Sequence, residues 1–164
     1  MASGDVLAIF TPQCNEAPTS NPATFDTRNN IPVLDFDAGT DESAVFSGFL
    51  PANYAGGGLT VKIVFMATSA TTGNMVWQAA IERMNTDLNA DSFAAAQASG
   101  QVAVNGTSGI PSTGTVAFTS GAQMDSLAAS ESFRIKVNRD ADSTTATDDA
   151  TGDGELLRVV VSET

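Results

Sequence analysis

Residues 59–67, LTVKIVFMA, carry the most regular hydrophobic alternation in the chain and directly follow three consecutive glycines. Every second residue from Leu59 to Phe65 is apolar, which is the period of a β-strand with one buried face. The intervening positions begin polar, with Thr60 and Lys62, and end apolar. We therefore predict a strand that starts amphipathic and becomes buried on both sides.

The glycines at positions 56–58 raise the question of a phosphate-binding loop. Such a loop needs a strand, then glycines, then Gly-Lys-Ser/Thr at the start of a helix. Here the glycines precede a strand, so we interpret them as a turn between strands 44–50 and 59–67, where side chains would obstruct the backbone. This turn would present Asn53 and Tyr54 as loop residues available to a partner.

Further segments share the strand period, and turn residues separate them. They are residues 33–37, 44–50, 75–83, 114–119, 132–139 and 155–162. Strands 59–67 and 75–83 would form a hairpin, and residues 92–98 and 120–127 are candidates for short helices. Short strands without alternating helices indicate an all-β, antiparallel sandwich or barrel.

The first thirty residues differ from the rest of the chain. Residues 11–30 hold three prolines and many Asn, Thr and Ser residues without an apolar period. We predict an N-terminal strand and extended arm over residues 1–30, and a β-sandwich domain over residues 31–164. An arm of this kind can reach a neighbouring subunit.

The bulk composition excludes several classes of function. The 164 residues are enough for one domain with a real core. Nineteen acidic residues against seven basic ones give a net charge of −12, a poor match for nucleic acid or an anionic membrane. No segment is long and apolar enough to span a membrane. We expect an intracellular product.

The chain has no histidine, and Cys14 is its only cysteine. This removes Ser-His-Asp and Cys-His nucleophiles, His-ligated metals and internal disulfides. A glycosidase needs only two carboxylates and an aromatic platform, so Glu82 and the pair Asp35 and Asp37 are the remaining catalytic candidates. Trp77 alternates with core residues, and only Tyr54 would be an exposed ring. We predict no enzymatic activity and no cofactor.

The acidic stretch of residues 140–155 suggests calcium. The EF-hand pattern fails, because Val160 stands where a bidentate Glu is required. Two interpretations remain open: an irregular calcium site built from Asp148, Asp149 and Asp153, and a solvated acidic loop without metal.

Four segments together carry a resemblance to a known group. They are PATFDTRNNIPVLDF (22–36), ESAVFSGFLPANYAGGGLTVKIVFMATSATTGNMVWQAAIERM (42–84), MDSLAASESFRIKVNRDA (124–141) and TGDGELLRVVVSET (151–164). The chain resembles small acidic virion proteins of aquatic tailed bacteriophages, and within them the capsid decoration, or cement, proteins. This resemblance implies a jelly roll of about eight strands, a homotrimer, and a position on the outer capsid surface.

The expected function is therefore to decorate and stabilise a phage capsid, with the major capsid protein and further copies of the chain as partners. Candidate contact residues are Val6, Leu7, Ile9, Phe10, Asn53 and Tyr54. Removing residues 1–20 should then weaken attachment and leave the sandwich folded. The alternatives are a tail or fibre module that binds a receptor or carbohydrate, and a carboxylate glycosidase. No nucleic acid, membrane, metal or cofactor is implied.

Overall fold

The computed structural model describes residues 2–85 and 87–164, and over these ranges the regular secondary structure is almost entirely β-strand. Its ten strands are β1 (Val6–Phe10), β2 (Thr24–Arg28), β3 (Ile31–Phe36), β4 (Ser43–Phe49), β5 (Leu59–Ala67), β6 (Asn74–Arg83), β7 (Gln97–Ala103), β8 (Ser112–Phe118), β9 (Ser132–Arg139) and β10 (Gly154–Glu163). Two short 3-10 helices cover Pro12–Cys14 and Ala122–Met124.

The strands form two antiparallel sheets packed face to face. Sheet A has the order β2-β3-β10-β5-β8, with β1 also paired to β10, and sheet B has the order β4-β9-β6-β7. Strands β3 to β10 alternate between the sheets, except that β6 and β7 are neighbours in sheet B, and this order forms the two interlocked Greek keys of a jelly roll. The predicted antiparallel sandwich of about eight strands is confirmed, with β1 and β2 as additions to sheet A.

Residues 2–30 lie on their own sandwich. Strand β1 pairs with the C-terminal half of β10, while β3 pairs with the N-terminal half of the same strand. Backbone hydrogen bonds then join residues 16–23 to β4, including Glu16 N–H to Val45 O at 2.8 Å. The described part of the segment is thus hydrogen-bonded to its own sandwich, and a contact between this arm and a neighbouring subunit stays a prediction.

Aromatic side chains fill the space between the sheets. Trp77 is fully buried, and its ring centroid lies 5.0 Å from that of Phe36 and 5.1 Å from that of Phe65. Phe36 and Phe65 come from sheet A and Trp77 from sheet B. The prediction that Trp77 belongs to the core is confirmed, and a role as a sugar platform is excluded.

The hairpin predicted from strands 59–67 and 75–83 is wrong. Strand β5 pairs with β10 and β8 in sheet A, whereas β6 pairs with β9 and β7 in sheet B. The turn at residues 68–73 therefore crosses from one sheet to the other. An apolar alternation identifies strands but not their partners, because partners depend on contacts between distant parts of the chain.

The helix predicted for residues 92–98 is also wrong. Ala94 N–H donates to Ile81 O at 2.9 Å, and Gln97 and Ala98 already belong to strand β7. Alanine favours helix only weakly, and pairing with the edge of β6 outweighs it. The second predicted helix is reduced to the 3-10 turn Ala122–Met124, where the Gln123 side chain accepts from Thr119 N–H at 2.7 Å.

The glycine segment connects the two sheets. It leads from β4 of sheet B to β5 of sheet A, and Gly56 has a φ of 86°. A Cβ atom at Gly58 would lie 2.3 Å from the carbonyl oxygen of Phe118, far inside contact distance. The prediction of a turn with close backbone approach is confirmed.

Candidate interaction surface

The outer face of sheet A presents apolar side chains to solvent. We use the name apolar face for the residues Ile9, Ile31, Val64, Pro111, Leu157 and Val160. Ile9 and Ile31 are 56% and 50% exposed. All members of the apolar face except Ile9 border an open depression of about 480 Å³ that Arg158 also lines. Ile9 lies opposite Val160 in the pairing of β1 with β10, which extends this surface across three strands.

Two basic residues lie within this surface. Lys62 on β5 is opposite Val160 on β10, and Arg158 on β10 is opposite Val64 on β5. Directly opposed residues in an antiparallel pair share a face, so cations and valines alternate in a block of four side chains. Both basic side chains are exposed. The surface is therefore apolar with two positive charges, although the protein as a whole carries −12.

An ion pair bounds this surface at the other end of β10. Arg28 Nη1 donates to Glu155 Oε2 at 2.5 Å and to Ala67 O at 3.0 Å, and Arg28 Nη2 donates to Ser108 Oγ at 3.0 Å. The loop that contains Ser108 thus folds over the outer face of sheet A. These contacts bury Glu155, which is only 6% exposed.

Asp35 lies beside this ion pair without its own partner. It is directly opposite Glu155 on β10, and its Oδ1 atom is buried without a hydrogen bond among the described residues. Loss of hydration, followed by repulsion from Glu155 and other carboxylates, raises the pKa of Asp35 to about 6. The charge on Asp35 therefore destabilises the folded protein at neutral pH.

Replacing Asp35 with Asn is expected to raise the free energy of unfolding at pH 7.5 by about 1 kcal/mol, a value reduced for the partial exposure of this carboxyl. The unfavourable charge is fully present above about pH 6 and is lost as the pH falls towards 3.8, the ordinary pKa of an Asp carboxyl, so most of the effect is gone at pH 4. Urea titrations at pH 7.5 and pH 4 test this, with Asp5→Asn, at an exposed carboxyl just before β1, as a control. If Asp35→Asn raised the free energy of unfolding as much at pH 4 as at pH 7.5, the charge on Asp35 would not be the cause.

The N-terminal residues predicted to contact a partner divide between the two faces of β1. Val6 and Ile9 are half exposed. Leu7 packs against the core, and Phe10 is buried within it, with its ring 5.5 Å from that of Phe46. Phe10 as a partner contact is therefore corrected, because alternation along a strand sends it inward. Removing residues 1–20 would also remove β1 and part of the core.

The expectation of an exposed ring at Tyr54 is wrong. Tyr54 is 5% exposed, and its hydroxyl donates to the carbonyl oxygen of Gly57. The glycine turn folds back over the ring, and Glu163 holds the same turn by accepting from Ala55 N–H at 3.0 Å. Asn53 is exposed, as predicted. Its role in a contact stays a prediction.

The acidic loop between β9 and β10 is organised by a buried arginine. Arg139 is fully buried, and its Nε and Nη2 atoms donate to the two carboxylate oxygens of Asp148 at 3.0 and 2.6 Å. It also donates to the carbonyl oxygens of Ala150 and Gly152, both at 2.8 Å. Asp149 accepts from Asn74 N–H at 2.7 Å. Asp148 and Asp149, candidate calcium ligands, thus hold the loop on the sandwich.

A second carboxylate in this loop is satisfied in a similar way. Asp140 is buried and accepts from the backbone and hydroxyl groups of Thr144 and Thr145. Loss of hydration opposes its charge, but these hydrogen bonds outweigh that effect and hold the pKa of Asp140 well below its usual range. Carboxylate oxygens of Asp41, Asp140 and Asp142 lie within 4.8 Å of one another. Within this cluster, the carboxylates of Asp41 and Asp140 accept hydrogen bonds from the loop itself.

The carboxylates considered for glycoside cleavage do not form a site. Glu82 lies on β6 of sheet B, whereas Asp35 lies on β3 of sheet A. Glu82 is fully buried and bonded to Arg134 at 2.5 Å. A glycosidase needs both carboxyl groups at one cleft, about 5–10 Å apart. The fold places these two in different sheets.

The outer face of sheet B carries a groove lined by both polar and apolar side chains. It has a volume of about 440 Å³ and is lined by residues 16–19, Val45, Phe93, Arg134 and Lys136. The Lys136 ammonium and the Arg134 guanidinium carbon each lie 5.3 Å from the centre of the Phe93 ring. The ring is thus engaged by cations of its own chain.

Sequence analysis missed most of the apolar face. The sequence predicts that the second half of strand 59–67, which includes Val64, is buried on both sides, since apolar residues at outward positions usually indicate a covered strand. The polar residues Lys62 and Arg158 at alternating outward positions were the available signal. They show that this side of β5 and β10 faces solvent.

Comparison with known proteins shows a similar fold in solved structures but assigns the chain to no family. The chain matches no protein-family model and no curated protein sequence. It is similar to the xylan-binding module CBM15, with 10% identity and a TM-score of 0.50, over 96% of this chain and 97% of that one.

Two further likenesses cover only parts of larger chains. Xylanase 10C from Cellvibrio japonicus has 11% identity and a TM-score of 0.48, over 91% of this chain and 26% of that one. The structure of infectious bursal disease virus Gx strain has 12% identity and a TM-score of 0.41, over 99% of this chain and 34% of that one. At these identities, what is shared is the sandwich fold. Within the described residues, no helix is long and apolar enough to cross a membrane.

Proposed function

We propose that this protein is a structural virion protein that decorates the outer surface of a bacteriophage capsid and stabilises it. The observation that carries the proposal is the apolar face of sheet A, which combines half-exposed Ile9 and Ile31 with an open depression of about 480 Å³. Rimmed apolar surfaces of this kind on soluble proteins mark sites of association.

The remaining features agree with a structural role. The buried polar clusters, such as Arg139 with Asp148, hold loops in place and bring no pair of catalytic groups to a cleft. A jelly roll supports both structural and binding roles, so the surface decides between them. Repeated attachment around capsid symmetry axes would turn a modest contact into strong overall binding.

The test uses particles of the parent phage from which the protein has been removed. Ile9→Asp should weaken re-attachment at least about tenfold, because burying an isoleucine contributes about 1.5–3 kcal/mol and a buried unpaired carboxylate opposes binding. Co-sedimentation with the particles measures this. Re-attached wild-type protein should also raise the temperature at which the particles release their contents.

Phe49→Asp is the matched control. Phe49 lies on a strand of the opposite sheet. It is 58% exposed, which nearly equals the 56% of Ile9. It should attach like the wild type. Equal loss in both variants would contradict docking through sheet A, and full attachment of Ile9→Asp would contradict the proposal.

A second candidate function is a receptor- or carbohydrate-binding module of the tail or fibre. The groove on sheet B favours it, since it places Arg134, Lys136 and Phe93 together. The chain's one Trp and one Tyr are both buried and cannot serve as sugar platforms. Glycan binding that Phe93→Ala abolishes would favour this candidate over capsid decoration.

A further inference from the structure

We propose that the surface covered by the apolar face is itself acidic: a protein surface of the particle that presents carboxylates among apolar side chains. This inference rests on the proposed function and names the chemistry of the partner. It follows from how the seven basic residues of the chain are distributed.

Most of the arginines are neutralised within the protein. The ion pairs are Arg28 with Glu155, Arg83 with Glu131, Arg134 with Glu82 and Arg139 with Asp148. By contrast, three basic residues form no ion pair with any residue that the structure describes: Lys136, whose ammonium lies over the Phe93 ring, and the exposed Lys62 and Arg158. In a chain with 19 acidic residues, the absence of a carboxylate partner at both of these exposed cations is a distinctive feature.

The surroundings of these two cations explain why they lack partners. Other outward positions of β5 and β8 near them carry hydroxyl groups, at Thr60, Thr113 and Thr115. At one end of the surface, Glu155 is already bound to Arg28. At the other end, the buried Glu163 side chain accepts from Ala55 N–H. The positive charges of Lys62 and Arg158 are therefore not neutralised within the protein and are available to a partner.

Docking would bury these charges together with the valines that alternate with them. A charge buried at an interface without an opposite charge destabilises the complex, so the covering surface must supply carboxylates. A second copy docking symmetrically through the same face would place Lys62 and Arg158 against themselves, and like charges would repel. The fitting partner is thus a different, acidic surface.

The experiment compares attachment to stripped particles across salt concentrations from about 50 to 500 mM, over which screening of charges increases strongly. The double variant Lys62→Gln/Arg158→Gln should bind about tenfold more weakly at low salt and should lose most of the wild type's salt dependence. Lys62→Glu/Arg158→Glu should bind more weakly still. Lys136→Glu, on sheet B, is the matched control and should bind like the wild type.

The outcomes separate this inference from the proposed function. If the Gln variant keeps wild-type affinity and salt dependence while Ile9→Asp is defective, the partner is not acidic and docking through sheet A stands. If Ile9→Asp also attaches normally, the docking face itself is wrong. Sedimentation of the free protein tests the remaining occupant: self-association that Lys62→Glu/Arg158→Glu abolishes would identify a second copy and overturn the inference.

Discussion

Replacing Arg139 with alanine is expected to lower the free energy of unfolding by about 3–5 kcal/mol, a large fraction of the stability of an ordinary domain. The guanidinium makes four hydrogen bonds of 2.6–3.0 Å, two to Asp148 and two to backbone carbonyl groups. Removing it leaves the Asp148 carboxylate, whose side chain is 1% exposed, without its counter-charge. The loop of residues 140–153 should then detach from the sandwich.

Chemical denaturation and hydrogen exchange of this loop would measure the effect. Arg158→Ala is the matched control, because Arg158 is exposed and outside any ion pair with described residues, and its loss should change stability by less than about 0.5 kcal/mol. In a double-mutant cycle, the loss of stability in the double variant Arg139→Ala/Asp148→Ala should be smaller than the sum of the losses in the two single variants. Additive losses would show that the pair acts independently.

Replacing Phe10 with alanine is expected to lower the free energy of unfolding by about 3–5 kcal/mol, the usual range for a phenylalanine in a core. Phe10 is 7% exposed, stacks on Phe46 with ring centres 5.5 Å apart, and meets the edge of Phe133 at 6.3 Å. The cavity would open where β1 closes the sandwich, so β1 should also lose protection against hydrogen exchange.

Ile9→Ala provides the matched control on the same strand. Ile9 is 56% exposed, and its truncation should cost less than about 1 kcal/mol. Thermal unfolding of both variants tests the division of β1 into an inner and an outer face. If the two variants lost similar amounts of stability, or if Phe10→Ala were as stable as the wild type, β1 would be a mobile arm rather than part of the sandwich.

The strands were predictable from the sequence because period-two alternation is local. Residues 59–67 and 132–139 have the predicted bounds, as β5 and β9. Strand pairing was not predictable in this way: β5 and β6 are consecutive in the chain but lie in different sheets. The alanines of residues 92–98 favoured a helix, and pairing of that segment with the edge of β6 prevailed.

The candidate surface was harder to predict than the fold. The sequence predicts that all large apolar residues of the run 6–10 contact a partner. In the strand, however, Ile9 points outward and Phe10 points inward. Tyr54 was selected because polar loops usually expose their rings, but the glycine turn covers it. Lys62 on β5 is 96 residues from Arg158 and 98 from Val160, both on β10, and only strand pairing brings Lys62 next to them.

An electron cryomicroscopy reconstruction of the phage particle tests the central claim most directly. Capsid decoration predicts many copies of the jelly roll at equivalent positions on the outer shell, each with the outer face of sheet A, including Ile9 and Val160, against the capsid protein. Density for the chain only at the tail, or on the capsid with the outer face of sheet A turned to solvent, would contradict the account.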